Sequence, residues 1–118
     1  MSQTKPDKQI DYIEFPASGI AGTKQFYETV FGWKFEDYGP NYTSFTDGRI
    51  AGGFTTDRTT AQQGVLVVIY SGDLPASQKQ IESAGGKIVK PIFSFPGGRR
   101  FHFTDPAGNE LAVWSDVE

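Results

Sequence analysis

Few side chains in this sequence can carry a proton or hold a small ligand. His102 is the only histidine, and an imidazole beside a carboxylate serves as a general acid or base near neutral pH. Two carboxylates stand on stretches that alternate apolar and polar residues. Glu14 lies within Ile10–Pro16, and Glu110 heads Glu110–Trp114. A carboxylate among core residues is costly unless paired. Glu14 therefore reads either as a general base or ligand anchor, or as half of an ion pair with an arginine such as Arg100. Tyr12, Tyr42 and Trp114 offer rings for a planar ligand, and Arg100 offers a cation. The candidate catalytic residues are thus Glu14 and His102, with Tyr12, Tyr42, Arg100, Glu110 and Trp114 as ligand contacts. Plainer readings stand beside these. His102 would buttress a sheet through a hydrogen bond, Glu110 would close a turn, and Tyr42 and Trp114 would pack between sheets or subunits.

The elements that must position these groups follow from periodicity. Ile10–Pro16 reads as a strand with Ile13 and Phe15 on one side and Tyr12 and Glu14 on the other. Ser18 is the expected N-cap of a helix with Ile20, Thr23, Tyr27, Val30 and Phe31 as its apolar face, closed by Gly32. Strands follow at 33–36, 41–47 and 49–54, the last two joined by an Asp47-Gly48 hairpin turn. The polar stretch 55–63 reads as a connector. The second half runs in the same order: a strand over 64–70, a helix capped by Asp73 reaching about Ala84 and stopped by Gly85-Gly86, and a short strand Lys87–Lys90. A loop from Phe93 to Gly98 precedes strand Arg99–Thr104, an Asp105–Asn109 turn and the final strand. The same alternation turns Phe101, Phe103, Leu111 and Val113 toward the helices and Arg100, His102, Thr104, Glu110, Ala112 and Trp114 to the opposite face. Tyr42, Ser44, Leu66, Val68 and Tyr70 join that face. The basic glycine loop ending in Arg99-Arg100 reads as a flap for an anionic ligand, but its spacing is not that of a nucleotide phosphate loop.

The halves also match in sequence. Ile20 and Leu74, like Gly32 and Gly86, lie 54 positions apart, and Phe45-Thr46-Asp47 recurs 58 positions on as Phe103-Thr104-Asp105. The second turn is read as two residues longer, which sets an offset of 60 between the final strands. Half-units of 9–54 and 64–116 within one domain over 1–118 follow.

Composition narrows the function classes. In 118 residues there are 11 Lys and Arg against 14 Asp and Glu, a net charge of -3. With no basic cluster to neutralise phosphates, no nucleic-acid or membrane-surface partner is expected. The longest apolar run, Val65–Tyr70, is too short to span a bilayer. The absence of cysteine removes disulfides, thiol nucleophiles and thiolate metal sites. The first seven residues lack an apolar signal region, so a cytoplasmic location is expected.

Phe26-Tyr27 ahead of Phe31-Gly32-Trp33, Ala84-Gly85-Gly86 after the second helix, and Phe103-Thr104-Asp105-Pro106-Ala107-Gly108-Asn109, set in a duplicated order of elements, resemble the vicinal-oxygen-chelate superfamily of glyoxalases, bleomycin-resistance proteins and extradiol dioxygenases. The resemblance implies an α+β fold in which two βαβββ modules form one curved mixed sheet, an open cup with helices on its convex side. It also implies a small-molecule ligand, frequently held over a divalent metal by His, Glu or Gln at four strand positions. Those positions fall on Tyr12, Gly52, Leu66 and Ala112, three of which carry no donor atom. The expectation is a metal-independent binding protein without a cofactor that sequesters or transforms a small polar or aromatic compound. Two alternatives stay open. One is a metal-dependent lyase, isomerase or dioxygenase using Glu14, His102 and Glu110, and the other is a non-catalytic ligand sensor. A homodimer is expected from exposed aromatic surface.

Overall fold

A computed structural model describes residues 6–58 and 64–117. The N-terminal five residues and the 59–63 part of the expected polar connector lie outside the described residues. The elements are β1 (Gln9–Pro16), α1 (Ile20–Phe31), β2 (Lys34–Asp37), β3 (Tyr42–Thr46), β4 (Ala51–Thr55), β5 (Leu66–Tyr70), α2 (Leu74–Ser83), β6 (Lys87–Phe95), β7 (Gly98–Thr104) and β8 (Glu110–Ser115). This is the α+β class built of two βαβββ modules. No helix among the described residues is long and apolar enough to cross a membrane.

The chain divides into two compact units, one of Tyr12–Leu66 and one that joins the residues up to Asp11 with those from Val67 on. In the first, the strand order is β2-β3-β4-β1, and in the second it is β6-β7-β8-β5. Each has one parallel pair, β1 with β4 and β5 with β8, and two antiparallel pairs. The internal repeat read from sequence is therefore a repeat of topology.

Alternation along the strands decides which groups each unit buries. In the second unit Phe101, Phe103 and Val113 pack with Leu74 of α2, supported by Ile81, Ile88, Ile92 and Leu111. In the first, the helix side is aromatic. Tyr27 of α1 stacks on Trp33 at 4.6 Å and lies 5.2 Å from Phe54, while Trp33 stacks on Phe45 at 4.5 Å. Such offset ring pairs add to the burial itself. The expected face of α1 is only half used, because Val30 and Phe31 are exposed together with Phe26.

Four expectations need correction. The N-cap of α1 is Gly19, not Ser18, and no side chain caps it. By contrast, Asp73 caps α2 by accepting from the Ala76 N–H at 3.1 Å. The strand expected to stop at Lys90 continues to Phe95, absorbing Pro91 beside its register shifts, where a missing N–H costs least. The segment Phe93–Gly98 is consequently no flap. It forms a tight hairpin over Pro96-Gly97, with Gly97 at φ 110°, a conformation that glycine adopts without strain.

The fourth correction concerns turn length. Thr46 pairs with Ala51 and Thr104 with Glu110, so the second turn is one residue longer, not two. The first-half counterpart of Ala112 is then Gly53 rather than Gly52. The parallel pairs agree, since Glu14 faces Gly53 and Val68 faces Ala112. Gly52 belongs to the helix side, where an added Cβ would lie 2.2 Å from the Ile13 carbonyl oxygen and 2.4 Å from the Phe45 ring.

Two substitutions test this packing by urea denaturation. Phe101→Ala, at a fully buried ring, is expected to lower the unfolding free energy by about 3–5 kcal/mol. Gly52→Ala, which meets backbone and cannot be relieved by a side-chain rotation, should cost about 1–3 kcal/mol. A neutral Gly52→Ala would return that residue to the open face.

Candidate functional site

Away from the helices, each unit gathers its own polar cluster. In the first unit Tyr12 and Glu14 of β1 stand on the same side as Tyr42 of β3. The two phenol oxygens are 2.5 Å apart, and the Tyr42 hydroxyl donates to Glu14 Oε2 at 3.0 Å. An ionised carboxylate only accepts, so the proton order runs Tyr12 to Tyr42 to Glu14. Glu14 is buried at 4% exposure, the burial its strand phase requires. Burial first, and then the charge of Glu14, pushes the Tyr42 phenol far above its ordinary value, which keeps it a donor. Space for this chain comes from Gly53. A Cβ there would fall 2.1 Å from the Tyr42 hydroxyl and 2.8 Å from that of Tyr12. Gly53 was missed in the sequence, although a glycine inside a strand signals close approach by another group.

The second unit holds the other four candidates. His102 on β7 is buried, and its Nδ1 lies 2.8 Å from Glu110 Oε2 on β8. Because the carboxylate accepts, the neutral ring carries its proton on Nδ1 and leaves Nε2 as a lone pair. That Nε2 atom is buried and has no hydrogen-bond partner among the described residues. Desolvation is the largest influence on the imidazole and lowers its pKa. The Glu110 hydrogen bond opposes this, while the charges of Arg100 and Lys90 reinforce it.

Around the imidazole the surface is aromatic and cationic. Phe93 lies 5.9 Å from the His102 ring, with Lys90 Nζ 4.6 Å and the Arg100 guanidinium 5.5 Å from its own centroid. Arg100 also lies 5.9 Å from Phe95. Cations over ring faces of this kind are held by the ring quadrupole. Trp114 faces Arg100 across the β7–β8 ladder. It donates from Nε1 to Asp11 Oδ2 at 3.0 Å and meets Tyr70 edge-on at 5.4 Å. Trp114 is thereby positioned by Asp11 and Tyr70 within its own unit.

Sequence reasoning thus selected residues that do meet: Tyr12, Glu14 and Tyr42 in one unit, and Arg100, His102, Glu110 and Trp114 in the other. It did not pair them. The bond from Tyr42 to Glu14 and the stacking role of Phe93 and Phe95 depend on register and on the unforeseen extension of β6.

A divalent ion needs several oxygen, nitrogen or sulfur donors. At the positions where the resemblance implies ligands, Tyr12 is committed to Tyr42, Gly52 or its corrected counterpart Gly53 has no side chain, and Leu66 and Ala112 are apolar and fully buried. These residues do not fit a metal. Among the described residues no three His, Asp or Glu gather in a way that could hold one.

Comparison with known proteins places this arrangement. An uncharacterized protein of Mycolicibacterium smegmatis is 28% identical over 95% of this chain and 97% of its own length. The anthracycline biosynthesis protein DnrV of Streptomyces peucetius is 27% identical over 87% of this chain, which spans 45% of that protein. The Mn(II)-bound glyoxalase of Novosphingobium aromaticivorans shares the fold, with a TM-score of 0.69 and 22% identity over 94% of this chain and 40% of its own. The sequence model of the Glyoxalase/Bleomycin resistance protein/Dioxygenase superfamily matches residues 9–113, and with the duplicated module and the two polar clusters behind it, the chain belongs to that superfamily.

Proposed function

We propose that the chain is a small-molecule-binding domain that works without a metal, with His102 as its acid–base group, Glu110 as the residue that orients it, and Phe93, Phe95, Arg100 and Trp114 as the surface against which a planar ligand rests. The observation that carries this reading is the buried Nε2 of His102 without a hydrogen-bond partner among the described residues. An unsatisfied buried polar atom costs about 1–3 kcal/mol, and a ligand donor removes that cost. The donor-poor superfamily positions support independence from metal. The relationship to a protein named for anthracycline biosynthesis supports a planar ligand. Tyr12, Tyr42 and Glu14 form a second polar anchor, in which Glu14 accepts a hydrogen bond from Tyr42, whose hydroxyl lies beside that of Tyr12.

Metal analysis and ligand screening test the reading together. The purified protein is expected to retain no stoichiometric nickel, zinc, iron or manganese after dialysis. Planar aromatic compounds should raise its melting temperature by mass action, and this rise should shrink in His102→Phe. Retained metal at one equivalent would overturn the proposal in favour of a metal-dependent lyase or dioxygenase.

A homodimer fits the exposed apolar stripe on α1, where Phe26, Val30 and Phe31 are 54%, 54% and 60% exposed. Sedimentation equilibrium should return twice the chain mass, and Phe26→Asp should return the monomer.

The protonation state of His102 gives a further check. Its folded pKa lies below the ordinary value near 6.5, so the unfolded chain binds the proton more readily. Stability from the neutral ring is complete above about pH 6.5 and is lost as pH falls through the depressed folded value. Lys90 and Arg100 add to this loss and Glu110 resists it. Urea titrations across that range should show a steeper loss in the wild type than in His102→Gln. Parallel curves would show that the ring is not held neutral.

A further inference from the structure

Resting on the reading of His102 as the acid–base group, we propose that the face formed by Lys90, Phe93, Arg100, His102 and Glu110 selects ligands bearing an acidic hydroxyl on a planar ring, a phenol or an enol, and binds them with that hydroxyl donating to His102 Nε2.

The tautomer makes the first selection. Glu110 holds the ring proton on Nδ1, so Nε2 presents a lone pair. A carboxylate or phosphate that has already lost its proton has nothing to donate to that atom, and an ether or a ketone has no proton at all. An amide or alcohol can donate, but it gains little from the surrounding charge. An acidic hydroxyl gains most. As its O–H bond lengthens toward Nε2, the electron pair of that bond stays on the ligand oxygen and the proton moves to the imidazole. The imidazolium then lies between two anions, Glu110 and the ligand oxygenate. The oxygenate lies between that imidazolium and the cations Lys90 and Arg100, both close enough to His102 to affect its charge. Negative and positive groups alternate along the row, and the step separates one positive and one negative charge while leaving the net charge unchanged.

Geometry assigns the ring plane. Phe93 is half-buried, 5.9 Å from the imidazole, and Lys90 and Arg100 both rest near its face. His102 is 4% exposed, so a ligand that reaches Nε2 must be thin enough to lie along the Phe93 ring. A flat ring meets this requirement and brings its own π-face to the cations Lys90 and Arg100 that flank Phe93. Ala112, directly opposite His102 in the ladder and fully buried, adds only a methyl group.

The experiment uses three probes of similar outline on the full chain: 4-nitrophenol, 4-nitroanisole and 4-nitrobenzoate. Binding is followed by tryptophan fluorescence and by the absorption of the nitrophenol, buffered about one pH unit below that phenol's own pKa. The expected result is roughly tenfold tighter binding of 4-nitrophenol than of 4-nitroanisole, with growth of the phenolate band as protein is added. His102→Phe, which keeps a flat ring but no lone pair, should bind 4-nitrophenol no more tightly than 4-nitroanisole and lose the band. Glu110→Gln should weaken the band more than the affinity for 4-nitroanisole. Equal binding of nitrophenol and nitroanisole, or of nitrobenzoate and nitrophenol, or an unshifted spectrum in the complex, would overturn the hydroxyl selection and leave the binding function standing. Failure of all three probes at millimolar concentration would overturn both.

Discussion

One hydrogen bond to a carboxylate fixes the state of the one imidazole in this protein. Glu110 binds Nδ1 of His102, and that single bond decides the tautomer, the direction in which the remaining lone pair points, and the charge the ring resists. Without Glu110 a buried imidazole would be free to place its proton on either nitrogen, and the site would lack a defined base. The pair is held by adjacent antiparallel strands whose register places Thr104 beside Glu110 and His102 beside Ala112. Phe101 and Phe103 hold that register from the other face, packing with Leu74 of α2. A slip of one residue would bury Arg100 and His102 against the helix and expose the two phenylalanines, so the hydrophobic layer is what keeps the chemistry in place.

The first unit solves the same problem with different groups. Glu14 is as buried as His102, and its donor is a phenol instead of an imidazole. The phenol stays protonated, because burial and the neighbouring carboxylate both disfavour its anion. It therefore positions charge without titrating at physiological pH. The imidazole, by contrast, keeps a buried Nε2 that no described residue engages in a hydrogen bond. One module thus carries a fixed polar anchor and the other a group able to change charge, on a shared topology.

What the sequence revealed and what it concealed divide along physical lines. Alternation identified the faces of β1, β7 and β8 correctly, since Phe101, Phe103 and Val113 are too apolar to face any other way. The Asp73 cap and the Gly32 stop follow from local chemistry and stand where expected. Errors arose wherever a count depended on loop length. One residue in the second turn moved the counterpart of Ala112 from Gly53 to Gly52, and in a strand that shift reverses the face. The strand expected to end at Lys90 runs on through Pro91, since a proline is tolerated at an irregular register, and brings Phe93 and Phe95 beside Arg100. The Tyr12–Tyr42–Glu14 chain was hidden for another reason. It joins β1 and β3 across the intervening β4, and only the missing side chain of Gly53 lets them meet.

The residue at position 112 connects the site to its superfamily. The resemblance places a metal-ligating side chain there, and this chain has alanine, fully buried and directly across the ladder from His102. Cross-strand neighbours have Cβ atoms about 4.5–5.5 Å apart, so a carboxylate at 112 and an imidazole at 102 would compete for the same volume. With alanine in place, only a methyl group faces His102 across the ladder, and the ring takes its partner from Glu110, two residues back on the same face of β8. Replacing the ligand by a methyl group therefore does more than delete a donor. It leaves an apolar residue facing the one histidine of the chain, so the ring's hydrogen bond comes instead from Glu110 at Nδ1.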